Sequence, residues 1–263
     1  MRLNNKKVII SIVCITLQLC GYSFKSFAHD LWIEASNFTP DPGQDVRIKL
    51  AYDHIFPAKD LMEDKNLKEI YMLDPGSKRI DIKKLSETEY EAVKPLKEKG
   101  AYLIVSAQKA RFWTKTTEGY KSDQSKKGLK NVISCTNSLK FGKGIINSGK
   151  GEDKAIAKPI GHDLEIIPLV NPAAMHPGDA LSIKILFKGK PLASSYVYAT
   201  YMGFSEEKDT YAYTTKTNAE GDAKIKMLKQ GIWLIATSSN EDYQDKNECD
   251  INKYSSTLTF EIK

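Results

Sequence analysis

Three observations predict an all-β protein built as two immunoglobulin-like β-sandwiches in tandem: period-two alternation of apolar residues, turn chemistry at short intervals, and no long apolar stripe at helical spacing. Val46-Arg47-Ile48-Lys49-Leu50, Ile225-Lys226-Met227 and Leu258-Thr259-Phe260-Glu261-Ile262 alternate as half-buried strands do. The more continuous runs Tyr102 to Val105, Ile183 to Phe187 and Ile232 to Ala236 read as central strands of a sandwich. Pro42-Gly43, Asp74-Pro75-Gly76, Pro177-Gly178, Lys188-Gly189-Lys190-Pro191 and Glu220-Gly221-Asp222 punctuate them as turns. The segment Ala157-Lys158-Pro159-Ile160-Gly161 marks the junction, giving an N-terminal sandwich over 29–158 and a C-terminal one over 159–263.

Residues 1–28 have the form of a secretory signal peptide. Arg2, Lys6 and Lys7 supply a positive start, Val8 to Leu19 an apolar run, and Ser26-Phe27-Ala28 the small residues that signal peptidase requires. The run falls short of the about 20 residues a spanning helix needs, so no transmembrane segment is expected in the mature chain. The expected location is the periplasm.

This cut changes the arithmetic. The chain has 263 residues, 41% of them apolar and 27% charged, with a formal charge of +6 and four cysteines. Removing 1–28 leaves 235 residues, a charge of +2, and Cys135 and Cys249 as the remaining cysteines. Ordinary globular composition excludes disorder and disulfide-scaffold classes, and a charge so near zero removes the case for a nucleic-acid partner. An even cysteine pair in an exported chain permits a disulfide, provided the two Cα atoms lie within about 7 Å. Residues 109–158 carry twelve Lys/Arg against four Asp/Glu, and read as an irregular, solvated basic insertion.

The residue pattern with the most chemistry is made by the cut itself. Cleavage after Ala28 leaves His29 first, so that one residue offers a free α-amine and an imidazole Nδ1 to a single metal ion. A chelate of this kind needs one or two further ligands to hold nickel, cobalt or copper, and the α-amine deprotonates near neutrality. The mature chain has three other histidines. His54, in Tyr52-Asp53-His54-Ile55-Phe56-Pro57, directly follows a strand and is the expected third nitrogen. Asp30 and Asp53 are candidate oxygen ligands or imidazole-orienting partners. His162 and His176 are weaker candidates, each more readily read as an ordinary surface histidine. Gly144 to Lys150 imitates the start of a phosphate loop, but Gly151 stands where Ser or Thr would hold magnesium. No nucleophile elbow or zinc-protease helix is present in the sequence, so no catalytic residue is assigned and a non-enzymatic role is expected. Of the three tryptophans, Trp233 sits in an apolar run and reads as core. Trp32 and Trp113 leave open a carbohydrate-binding role.

Several stretches together resemble an exported bacterial domain-of-unknown-function family formerly labelled a nickel-transport component. They are Ala28 to Glu34, Pro42 to Val46, Phe112-Trp113-Thr114-Lys115-Thr116, Lys143 to Gly149, Asp163 to Pro172 with Pro177-Gly178-Asp179, Gly189 to Leu192, and Thr217 to Gly221 continuing through Gly231-Ile232-Trp233. The resemblance implies a periplasmic protein with a prealbumin-like second sandwich, associated with nickel or cobalt uptake. In one respect this chain departs from the family's pattern: Asp53 stands beside His54 where the family often has glycine. The expectation is therefore a periplasmic binder of a divalent transition metal, nickel or cobalt with copper possible, that serves uptake through an inner-membrane transporter. The alternatives are a binding module for polysaccharide or protein, and a copper protein with a histidine brace and redox activity.

Overall fold

A computed structural model describes residues 29–263; the signal-peptide reading of 1–28 lies outside them. The first half contributes β1 (Asp30–Ala35), β2 (Arg47–Asp53), β3 (Leu67–Leu73), β4 (Arg79–Ile80), β5 (Ile82–Lys84), β6 (Glu89–Ala92), β7 (Gly100–Gln108), β8 (Arg111–Thr116), β9 (Gly119–Ser122) and β10 (Val132–Ser148). The second contributes β11 (Leu164–Pro168), β12 (Ala180–Phe187), β13 (Lys190–Pro191), β14 (Tyr196–Tyr201), β15 (Tyr213–Lys216), β16 (Asp222–Lys226), β17 (Gly231–Asp242) and β18 (Ile251–Ile262). The fold is all-β, as expected, and no helix among the described residues is long and apolar enough to cross a membrane.

One sheet organises the molecule. Its path runs β15-β14-β17-β18-β10-β7-β3-β4, with β8 and β9 attached at the start of β10. A four-stranded sheet, β1-β2-β6-β5, and a second one built on β11, β12, β13 and β16 complete the layers. The strand period explains which side chains feed which core. Leu103, Val105, Phe141, Ile145, Leu258 and Phe260 belong to the larger core with Leu164, Ile166 and Ile183 of the second small sheet. Tyr102, Ile104 and Ile146, one step out of phase, join the smaller core with Leu31, Ile33, Ile48 and Leu50. The two small sheets therefore cover opposite faces of the long one, and each buried Leu or Ile contributes about 1.5–3 kcal/mol of transfer free energy.

The halves on either side of 158/159 share this long sheet. β10 of the first half pairs in parallel with β18 of the second, from Thr136↔Ile251 to Gly144↔Thr259. Lys143 is completely buried on β10 and donates to the carboxylate of buried Glu165 and to the Ile166 carbonyl at 3.1 Å. Glu165 also accepts the backbone N–H groups of Ile160 (2.7 Å) and Gly161 (3.2 Å), fixing the connecting loop.

The expectation of an irregular insertion over 109–158 is overturned. The β8–β9 hairpin and β10, 17 residues long, occupy most of it. One face of this region is lined by Lys, Ser, Thr and Gly, so an apolar period two never develops in its sequence. Cys135 on β10 is disulfide-bonded to Cys249, their Cα atoms 5.0 Å apart.

Candidate metal centre

The even-numbered face of β10 builds the site. Gly144 and Gly142 form a notch into which β1 sinks: a Cβ on Gly144 would lie 2.7 Å from the Ile33 side chain, and one on Gly142 would lie 2.8 Å from the Ser106 hydroxyl. The hydroxyls of Thr257 and Thr259 on β18 donate to the Leu31 and Ile33 carbonyls at 2.6 and 2.8 Å, holding β1 across the long sheet. Next along the same face is Lys140, 1% exposed, whose ammonium donates to the His29 carbonyl. The main chain at His29 is thus pinned by a lysine.

Strand register then delivers the second imidazole. β1 and β2 pair antiparallel with Leu31↔Tyr52 and Asp30↔Asp53, so one further step along the ladder sets His29 opposite His54. Their ring centroids are 4.4 Å apart at an interplanar angle of 48°, while the His29 ring stacks on Tyr52 at 5.1 Å. His54 Nδ1 lies 3.1 Å from the carboxylate of Asp209, and the Asp209 N–H donates to the His54 carbonyl at 3.0 Å. A carboxylate on Nδ1 fixes the tautomer and leaves the Nε2 lone pair to bind elsewhere. Burial pushes the pKa of His29 down, and the neighbouring His54 and Lys140 add to the effect. Its imidazole is thereby biased to the neutral form, the form that binds metals.

The other expected residues sit differently. Both carboxylate oxygens of Asp53 are occupied: one accepts the His54 N–H at 2.6 Å, the other the N–H groups of Lys59 (2.7 Å) and Asp60 (3.3 Å). Burial alone would raise its pKa, but these backbone donors hold it below the usual carboxylate value. Asp53 thus shapes the loop that carries His54. Asp30 lines a small cleft together with His54, Asp209 and Tyr211. His162 is on the other side of β10, packed on Phe141 with ring centroids 4.7 Å apart and 3.7 Å from Glu69. His176 lies in an exposed turn where its N–H donates to Asp179 at 2.8 Å. Neither joins His29 and His54, and among the described residues no group of three or more His, Cys, Asp and Glu converges to hold a metal ion. Asp209, Lys140 and Tyr52 were not foreseen as site residues. Asp209 is 155 positions from its imidazole, a separation that leaves no local signal. Trp233 is fully buried, as its apolar run suggested.

Residues 26–241 match the family described as "Domain of unknown function (DUF4198)". The chain belongs to this family. Membership bears out the domain-of-unknown-function resemblance, and the DUF4198 description assigns no activity and no metal. No curated protein matches the chain. Among solved structures it is similar to the D00-D0 domain of intimin, at 12% identity over 88% of this chain and 98% of that one, with a TM-score of 0.20. It is also similar to the Yersinia pseudotuberculosis adhesin InvE, at 10% identity over 88% and 58% of the two chains, TM-score 0.20. A third likeness is to the fibronectin(III)-like modules of Clostridium thermocellum CbhA, at 9% identity over 88% and 94%, TM-score 0.21. At TM-scores this low, the likenesses carry no argument about this DUF4198 member.

Proposed function

We propose that this protein is a non-enzymatic, periplasmic binder of a divalent transition metal, nickel or cobalt in the first place, held by the mature N-terminus and destined for an inner-membrane transporter. The observation that carries the reading is the placement of His29 against His54. For an ion about 2.0–2.1 Å from each imidazole nitrogen, ring centroids of ligands on adjacent coordination positions stand roughly 4.5 Å apart. The observed 4.4 Å fits such a pair. The α-amine that a cut after Ala28 would free completes three nitrogens, a donor set suited to nickel, cobalt and copper. Asp209 orients the His54 ring, and Lys140 secures the main chain of His29. The bond between Cys135 and Cys249 accords with an oxidising compartment.

Titration of the exported protein, bearing an authentic His29 terminus, with nickel, cobalt and copper tests the proposal. One residue added before His29, or His54→Ala, is expected to weaken binding at least tenfold. Equal affinity in the extended protein would rule out the amine chelate.

A further inference from the structure

The face of β10 that carries Lys140 continues towards the start of the strand as a row of hydroxyls. Ser138 is buried, Thr136 half-buried and Ser134 exposed, and their alternation sets them about 6.8 Å apart, descending from rim to floor. They line a groove of about 450 Å³ that His29 and His54 also border. Neighbouring strands build its walls. Trp113 of β8 stands opposite Thr136, Lys253 of β18 stands opposite Ser138, and Tyr120 of β9 stands opposite Lys115; Trp113, Lys253 and Tyr120 all line the groove.

Two features suit this groove to a ligand. Its floor and wall are fixed: Cys135, between Ser134 and Thr136, is bonded to Cys249, and the Asp250 carboxylate accepts the Cys135 N–H at 2.6 Å while pairing with Lys126. In addition, Trp113 gives the groove an aromatic wall beside the hydroxyl row. Hydroxyls able to donate and the positive charge of Lys253 suit an anion rich in oxygen acceptors.

The metal site looks incomplete from the same direction. Two imidazoles and one amine leave a first-row ion with open coordination positions, and no third side-chain ligand is present among the described residues. We infer that the groove holds the organic part of a metal chelate: a small hydroxycarboxylate whose oxygens fill the open positions of the ion at His29 and His54 and are received by the Thr136 and Ser138 hydroxyls and Lys253, with Trp113 as the flanking wall. The cargo is then a metal–carboxylate complex rather than a bare ion. This inference rests on the metal reading above.

Equilibrium dialysis of the full mature protein against nickel alone, labelled citrate alone, and the one-to-one nickel citrate complex tests it. The expected result is citrate retained in proportion to nickel, with at least a tenfold loss of citrate retention in Thr136→Val/Ser138→Ala and in Lys253→Met. Those variants should bind nickel alone as the wild type does, and unchanged melting curves would confirm their folding. Citrate that strips the nickel without being retained, or citrate retention indifferent to the groove variants, overturns the chelate inference while leaving the histidine site standing. Failure to bind nickel in any form overturns both. Metal-independent binding of cello-oligosaccharide, lost in Trp113→Ala, would give the groove to a saccharide instead.

Discussion

Two lysines three positions apart on β10 are both 1% exposed, and the fold uses them in opposite ways. Lys143 faces the larger core and meets a carboxylate, Glu165, that is itself held by two backbone N–H groups of the connecting loop. Lys140 faces β1, donates to the carbonyl of His29 and lies over the Tyr52 ring, 5.6 Å from its centroid. Burial depresses both lysines; for Lys143 the charge of Glu165 opposes the shift. Lys140 has no contacting carboxylate, although the charge of Asp30 opposes the shift from nearby, and its pKa is drawn down to about 8. A buried cation with a fully satisfied counter-ion locks two segments together, whereas one resting on a carbonyl orients a main chain at modest net energy. The side of the strand, not the residue type, decides between structure and site.

Breaking the lock should cost most. Lys143→Met or Glu165→Gln leaves an unpaired buried group, and urea denaturation is expected to show a loss of about 3–5 kcal/mol. Metal affinity per folded molecule should barely change, because His29 and His54 lie on the other face.

His162 sharpens the contrast on the Lys143 side. Burial first, then the charges of Lys143 and Lys68, push its pKa down to about 3. It is neutral in the folded protein, while the unfolded chain takes up a proton below about 6.5. Stability from this source is therefore full above pH 6.5 and declines as the pH falls from there towards 3, by about 2 kcal/mol at pH 5. Chemical denaturation across that range should show a flatter acid profile for His162→Gln than for the wild type.

The smallest stability change is expected for Lys140→Met. Losing the bond to the His29 carbonyl and losing the cost of a buried charge nearly offset, within about 1 kcal/mol. Nickel affinity should nevertheless fall about tenfold as the His29 main chain loses its anchor. A large loss of stability with unchanged affinity would reverse the roles assigned to the two lysines.

Much of the fold was legible where one face of a strand is apolar. Ile48 and Leu50 on β2, Ile183 and Ile185 on β12, and Leu258 and Phe260 on β18 alternate in the sequence and are buried in the structure. β10 was not legible, because its even positions from Ser134 to Gly144 carry hydroxyls, a lysine and glycines that fit under β1 or line a groove rather than fill a core. The histidine pair could be anticipated in part: a residue at the start of one strand and a residue at the end of the next meet if the two form an antiparallel pair in register. Asp209 and Lys253 come from the second half, and only the tertiary fold brings them to the first. The disulfide was permitted by cysteine count, but its pairing distance belongs to the folded chain.

The parallel seam between β10 and β18 has a consequence for how the chain comes to be folded. Nine residue pairs along it, Thr136↔Ile251 to Gly144↔Thr259, join β10 to a strand synthesised long after it. Until β18 arrives, β10 presents a long open row of amide and carbonyl groups, the kind of template on which chains aggregate. A fragment ending near residue 158 would keep that open row for good. Contacts spanning more than a hundred positions also make for slow closure, so that edge stays open until β18, twelve residues long, zips the halves together.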